Sequence, residues 1–417
     1  MYPELSFPKG IDAARFMADF WQQKPLLMRQ ALPALHTPVD ADDLAGLACE
    51  PDVESRLIRQ QGPRGRWQVD HGPFDASDFA SLPERDWTLL VQDVDKMLPD
   101  VAALLERFNF LPDWRLDDIM ISFAADGGSV GPHVDAYDVF LIQTEGHRRW
   151  RIDTRAGAPA DCIPDLDLRI LRRFDPDKNW LLNPGDLLYL PPGIPHWGIA
   201  EGSCVTWSVG LQAPTWHDLA SGWFERVAEQ LAEAGRWRDP GLGIALEPAE
   251  LPANVVRRMR ARLDQTLLHL DTEAFSIWLG ETLTEPKENL ILEPIEPPLH
   301  QADLLNLLRD QGGLRRDGRS RLLFQRGDGP ARGADLLFAN GTTLRLPAGN
   351  TGFLSLLCKR TTLSETALTP WLERPACASL LRSLINAGHF RTWDSDPGTA
   401  DSGDNRDQEA LDAEPRQ

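Results

Sequence analysis

The sequence predicts an α+β protein built in several parts, and three observations predict it. Residues 1–212 are rich in Trp, Pro and Gly, and their short apolar runs are broken by turn signals, which is the pattern of strands. Residues 213–285 switch to apolar positions at helical spacing. After a proline-rich stretch, residues 300–393 combine helical periods with a sharp hairpin. At 417 residues the chain has room for roughly two to four domains, and an apolar content of 42% is enough for real cores.

The elements follow in order. WHDLASGWFERVAEQLAEAGRW places Leu219, Trp223, Val227 and Leu231 on one helical face, and ANVVRRMRARLDQTLLHL does the same with Val256, Met259, Leu263 and Leu267. DTEAFSIWLGETL reads as a third, short helix with Asp271 as N-cap and Glu273 in its first turn. Three such helices are too small a unit for a strong core, so they are expected to pack on something else. Residues 286–299, with Pro286, Pro294, Pro297 and Pro298, read as a linker. Beyond it, ADLLNLLRDQG is a helix, RLLFQRG a strand, and ADLLFANGTTLRLP a hairpin turning at Asn340-Gly341. Two helical stretches, TGFLSLLCKRTTLSETAL and CASLLRSLINAGHF, complete a winged-helix-like module over 300–393. Residues 394–417 are acidic with almost nothing apolar, and are expected to be disordered.

Composition excludes several classes. No apolar run of about 18 residues exists, so no helix is expected to cross a bilayer. The N-terminus carries Glu4 and lacks the apolar stretch of a secretory signal. The five cysteines are scattered without a CxxC pair, which argues against a disulfide framework or zinc knuckle and for a reducing, cytoplasmic setting. A formal net charge of −20 disfavours broad nucleic-acid affinity and attracts a basic protein partner. A local patch of Arg315, Arg316, Arg319 and Arg321 runs against that trend, but direct nucleic-acid binding is not expected.

The chemistry concentrates in SVGPHVDAYDVFLIQTEGHRRWRI. On an extended strand residues i and i+2 share a face, so His133 and Asp135 can meet one metal ion. A third ligand, His196, follows the Pro-Pro-Gly turn of NPGDLLYLPPGIPHWGIA. Two imidazoles and one carboxylate leave three positions open, the facial triad of non-haem Fe(II) oxygenases. Zinc competes, although its catalytic sites usually leave one position. DVFLIQTEGHRRWRI reads as a hairpin turning near Glu145-Gly146. Its second strand alternates Arg148, Trp150 and Ile152 inward against Arg149 and Arg151. A buried Arg148 needs an anion. Its planar fork suits the far carboxylate of a dicarboxylate, the alternative being a structural ion pair.

These stretches resemble the JmjC-type cupin oxygenases, and within them the bacterial ribosomal oxygenases. FWQQKPLLMRQAL, LPDWRLDDIMISFAADGGSVGPHVDAYDVFLIQTEGHRRWRI, NPGDLLYLPPGIPHWG and SVGLQAP carry the resemblance, which spans about 1–395 and is strongest over 20–212. It implies a double-stranded β-helix (the cupin/JmjC barrel) over 1–212 and a helical dimerisation domain over 213–285. The linker 286–299 and a winged-helix-like domain over 300–393 follow. It implies that His133, Asp135 and His196 bind Fe(II), and that Arg148 binds the C5 carboxylate of 2-oxoglutarate, with O2 as the other cosubstrate. Ser122 is a second candidate for that carboxylate, and Thr206 another residue facing the site. The implied reaction is hydroxylation of an arginine side chain in a large-subunit ribosomal protein. Histidine hydroxylases share the same fold and triad, and a non-catalytic metal-binding scaffold is the reading from a different class. Carboxylates and aromatic faces suit a guanidinium, so Asp126, Tyr137 and Asp138 are the candidate client contacts. The implied partners are a basic ribosomal protein and a second copy of the chain, with no membrane.

Overall fold

The strand-rich half winds around two long strands. In the computed structural model the described residues are 3–33, 35, 37–60, 67–155, 161–164, 166, 168–212, 214–231, 251, 253–268, 272–327 and 333–392. The tail 394–417 and Asp271 lie outside them. Nine strands form one antiparallel sheet: β1 (Leu26–Met28), β2 (Ser55–Gln60), β3 (Trp67–His71), β4 (Trp87–Val91), β5 (Leu116–Ala124), β6 (Val139–Ile152), β7 (Lys178–Leu182), β8 (Leu187–Leu190) and β9 (His196–Leu211). Their order is β1-β8-β6-β9-β5-β4-β2-β3, with β7 added on β6. The first half of β6 pairs with β8 and the second half with β7, while β9 follows it along both halves. Two long strands shared by both layers give a double-stranded β-helix.

The expected hairpin at Glu145-Gly146 is not formed. β6 runs straight through, and its pairing with β9 is irregular between Gln143 and His147. Gly146 has φ +61°, and a Cβ there would stand 2.1 Å from the Ser203 carbonyl oxygen. A glycine signal that suits a turn suits a β-bulge equally well. The bulge has a consequence for the site. Val139 and Leu141 line the same cavity as Arg148 and Trp150, although 141 and 148 are an odd number apart. A regular strand would turn those two sets to opposite faces. The bulged bend therefore turns Arg148 inward.

The core under the sheet is aromatic. Phe16 from the helix Ala13–Asp19 meets Tyr189 at 4.9 Å and Phe140 at 5.8 Å between ring centroids. Asp12 caps that helix by accepting a hydrogen bond from the Arg15 N–H at 2.7 Å. All five cysteines are unpaired. Among the described residues no helix is long and apolar enough to cross a membrane.

The helices Trp216–Leu231, Ala253–Leu268 and Thr272–Thr284 follow. The third packs against the C-terminal module rather than only its helical neighbours. Gly280 lies so close to Phe338 that a Cβ would stand 2.4 Å from the ring, and Glu273 pairs with Arg345 at 2.8 Å. The module has two three-stranded sheets. One joins β11 (Leu322–Gln325), β12 (Ala334–Ala339) and β13 (Thr342–Pro347); the other is β14 (Thr362–Ser364), β10 (Gly313–Arg316) and β15 (Phe390–Arg391). Asn340 and Gly341 take φ +41° and +77°, the type I′ turn that joins β12 to β13. The helices Leu304–Gln311, Thr351–Lys359, Glu365–Leu372 and Pro375–Asn386 cover these sheets.

The segment 286–299 is strapped to the oxygenase half. Lys287 bonds Asp93, and Asn289 donates to the Asp52 carbonyl at 3.2 Å. The basic patch is spent largely inside the molecule. Arg316 donates to the Cys358 carbonyl at 2.6 Å, Arg319 pairs with Asp317 at 2.9 Å, and Arg321 with Asp117 at 3.1 Å.

Candidate active site

His133 sits in the loop before β6, and His196 opens β9. Their backbones form an isolated antiparallel bridge, with N–H to carbonyl distances of 3.0 and 2.9 Å. This bridge brings residues distant in sequence to a ring centroid separation of 4.2 Å. Asp135 lies two residues beyond His133, and its carbonyl accepts from Gly193 in the Pro-Pro-Gly turn at 2.9 Å. Asp135 Oδ2 is 3.8 Å from His133 Nε2 and 3.4 Å from His196 Nε2. One ligand atom from each of the three lies within 4.8 Å of the others.

The rings are oriented for metal binding. His133 Nδ1 donates to the Gly131 carbonyl at 3.0 Å, and His196 Nδ1 to the Ile194 carbonyl at 2.9 Å. A carbonyl only accepts, so the proton sits on Nδ1 and the Nε2 lone pair is directed at the shared point. Burial, helped by the neighbouring His196, pushes His133 down to about 4, so it is neutral at pH 7. Asp135, buried beside both imidazoles, is nonetheless held below its usual carboxyl range. A neutral imidazole and an ionised carboxylate are the forms a divalent ion requires. The donor set fits Fe(II) with three positions open.

Arg148 is buried at 6% exposure. Its Nη1 reaches Ser122 Oγ at 3.3 Å, while Nε and Nη2 are buried with no partner among the described residues. Such a cation is costly unless an anion meets it. Two guanidinium nitrogens that no described residue meets fit the far carboxylate of 2-oxoglutarate. Ser122 lines the same cavity and donates to the Thr206 carbonyl at 3.3 Å. Thr206 gives its hydroxyl to Gln143 at 3.0 Å and is not part of the lining.

The cavity measures about 680 Å³ and holds the triad, Arg148, Ser122, Trp150 and Tyr137 in its walls. Tyr137 is 44% exposed, at the mouth. Two of the expected client contacts lie elsewhere. Asp126 pairs with Arg85 at 3.1 Å and accepts from the Gly202 N–H at 2.9 Å. Asp138 is fully buried, pairs with Arg115 at 2.8 Å and accepts from the Tyr189 hydroxyl at 2.5 Å. Alternation explains it: Val139 lines the cavity, so the preceding side chain turns into the core.

Among the lining residues that the sequence did not single out are Arg56, Gln92, Asp118 and Lys287. Asp118 has a legible signal, since Asp118, Met120 and Ser122 are spaced by two on β5 and all three line the cavity. Burial pushes Asp118 up to about 7, with Asp93, Asp95 and Asp117 adding to it and Lys287 opposing. With its amide turned to satisfy both neighbours, Gln92 donates to Asp118 at 3.1 Å and accepts from Arg56 at 2.8 Å.

A double-stranded β-helix with this triad and an inward arginine that no described carboxylate meets defines a JmjC-type oxygenase. Residues 103–219 match the JmjC domain family, and residues 264–391 match the ROXA-like winged helix. The chain is 36% identical over 377 residues to ribosomal protein uL16 3-hydroxylase of Escherichia coli, covering 90% of this chain and 96% of that protein. It therefore belongs to the ribosomal oxygenase family. A probable ribosomal oxygenase of Haemophilus influenzae is 39% identical over 224 residues, 52% of this chain and 54% of that one. The X-ray structure of E. coli YcfD matches with a TM-score of 0.80 at 34% identity, over 93% of this chain and 100% of that one. The E. coli ribosomal oxygenase YcfD in complex with cobalt and 2-oxoglutarate matches with a TM-score of 0.77 at 33% identity, over 94% and 99%.

Proposed function

We propose that this chain is a cytoplasmic Fe(II)- and 2-oxoglutarate-dependent hydroxylase that acts on an arginine side chain of a large-subunit ribosomal protein. The observation that carries the reading is the charge layout of one cavity. It contains a cation without an anion, Arg148, and a carboxyl to which no cation bonds among the described residues, Asp118. The first suits the dicarboxylate cosubstrate and the second suits a guanidinium. That a relative is named for uL16 supports a ribosomal client.

His133, Asp135 and His196 would hold the iron. When bound, iron, 2-oxoglutarate and O2 together supply the oxidation, yielding succinate, CO2 and a hydroxylated client carbon. Arg148 and Ser122 hold the far carboxylate. Val139, Leu141 and Trp150 exclude water from that end. Asp118 receives the client cation, and the Tyr137 ring offers it a face. An ionised carboxylate beside an aromatic face favours a permanent cation over a neutral imidazole, which supports arginine over histidine. A complete triad with an Arg148 that no described carboxylate meets supports catalysis over a scaffold.

Mass spectrometry of purified ribosomal proteins incubated with this protein, Fe(II), 2-oxoglutarate and air tests the reading, with His133→Ala as control. The expected result is a gain of one oxygen on an arginine, absent in the control. A gain on histidine moves the chain to the histidine reading. Succinate formed with no ribosomal protein modified points to another client, and neither product points to the scaffold.

A homodimer is part of the proposal. On the helix Ala253–Leu268, Val256, Met259 and Leu263 share one face and are 48%, 40% and 61% exposed. A second copy would cover this stripe. Met259→Asp with Leu263→Asp is expected to halve the mass measured by sedimentation equilibrium, and an unchanged mass would remove this face from the interface.

A further inference from the structure

The wall that carries Asp118 is not completed by the barrel alone. Lys287 belongs to the segment between the helix Thr272–Thr284 and the winged-helix module, yet it lines the same cavity. Its ammonium lies 2.8 and 2.9 Å from the two carboxylate oxygens of Asp93. The Asp93 N–H in turn donates to Asp118 Oδ2 at 3.3 Å. One residue therefore separates a cation from outside the barrel from the carboxyl that faces the client.

The other charged groups around Asp118 are already engaged. Lys96 bonds Asp95 at 2.5 Å, and Arg321 bonds Asp117 at 3.1 Å. Arg56 reaches Asp118 only through Gln92, and Tyr137 faces it as a neutral phenol. Asp93, Asp95 and Asp117 all act against its ionisation. Without Lys287, Asp93 would be a buried carboxylate with its own cation removed, on the residue whose main-chain N–H bonds the carboxyl that must stay ionised. Two like charges so placed are relieved by uptake of a proton. A protonated Asp118 makes no charge-assisted bond to a guanidinium.

We propose that Lys287 is a positioning residue for client recognition. Clamped on Asp93, it neutralises the neighbouring acid and leaves the Asp118 carboxylate charged and free for a cationic side chain. The oxygenase thus reads such a client only while the segment 286–299 is docked on the barrel. This rests on the reading that Asp118 receives the client arginine. Burial already holds Asp118 near 7, with Lys287 opposing that rise. A carboxyl binds a cation above its own pKa, so removing Lys287 moves the acid limb of client binding to higher pH.

The test compares Lys287→Met, Lys287→Arg and Asp118→Asn in the full-length protein loaded with Fe(II) and 2-oxoglutarate without oxygen. Fluorescein-labelled uL16 is titrated by anisotropy from about pH 6 to about pH 9, and steady-state kinetics are measured in air. Lys287→Met is expected to weaken uL16 binding about fivefold at pH 7, because raising Asp118 by about one unit from about 7 cuts its ionised fraction by roughly that factor. Binding should recover at pH 9. Client KM should rise while kcat and the KM for 2-oxoglutarate hold, and Lys287→Arg should restore the wild-type profile. A purely structural defect would disturb 2-oxoglutarate as well and would not recover with pH, and that result overturns the proposal. Wild-type affinity and pH profile in Lys287→Met, alongside loss of binding in Asp118→Asn, also overturns it. Undiminished binding in Asp118→Asn removes the arginine reading itself, and the proposal with it.

Discussion

Replacing Arg148 with alanine should raise the KM for 2-oxoglutarate by roughly two orders of magnitude or more, with metal affinity unchanged. The size follows from what the site offers. Nε and Nη2 of Arg148 are buried without a partner among the described residues, so they add to the grip on a carboxylate without first breaking a bond to any of these. Losing one member of a buried, hydrogen-bonded charge pair costs about 2–5 kcal/mol, and about 2.7 kcal/mol is already a hundredfold. The same geometry predicts a second effect of opposite sign. Without its ligand the wild-type protein carries a buried cation whose only side-chain partner among the described residues is the Ser122 hydroxyl at 3.3 Å. Removing that cation should leave the ligand-free protein as stable or more stable, because an uncompensated buried charge is a liability. Thermal unfolding reads both. Wild-type protein with metal should gain Tm on adding 2-oxoglutarate, by about 2.7 kcal/mol at a hundred times Kd, and Arg148→Ala should gain almost nothing. A variant that keeps the full ligand-induced gain would show that the carboxylate is held elsewhere.

The parts of this site that the sequence made legible are those set by local periodicity. His133 and Asp135 needed only the alternation of an extended chain, and His196 only its place after a Pro-Pro-Gly turn. Arg148 was placed by counting back from Trp150 and Ile152, and that count stayed within one regular stretch of β6. Counting through the bulge at Gln143–His147 would have failed, because the extra residue inverts the phase. The hairpin misreading has the same origin, since positive φ at a glycine serves a turn and a bulge alike. Asp138 is near the triad in sequence but not in space, because one step along a strand reverses the side chain and turns it into the core. Arg56 and Lys287 carried no signal. They come from β2 and from the segment after the third helix, and only tertiary packing brings them to β5. Helical periodicity likewise marks an apolar face without saying what covers it. The helix Thr272–Thr284 packs its Phe275 and Trp278 on Trp223 of a sequence neighbour and its Gly280 on Phe338 of the C-terminal module.

His133→Ala should abolish succinate formation, to below about a thousandth of the wild-type rate, and should do so without unfolding the barrel. The ligand set is two nitrogens and one oxygen, so losing His133 leaves a two-point site. Disturbing groups that merely orient metal ligands typically costs 10–100-fold in affinity, and removing a ligand outright costs more. The fold should survive because the contact that brings the two histidines together is made by the backbone. The His133 N–H and carbonyl exchange bonds with His196 at 3.0 and 2.9 Å, and alanine keeps both. The imidazole itself contributes one hydrogen bond, from Nδ1 to the Gly131 carbonyl. The loss of that bond is worth about 1 kcal/mol, too little to unfold a domain. Calorimetric titration with Co(II), which binds without turnover, separates the two effects. The expected result is wild-type unfolding behaviour with Co(II) affinity reduced by on the order of a hundredfold or more. Asp135→Ala should behave alike, since its carbonyl bond to Gly193 is also made by the backbone. Co(II) bound as tightly by both variants as by the wild type would place the metal outside this triad. Reduced affinity in both, with a folded barrel, would show that three side chains, aimed by main-chain contacts, make the metal site.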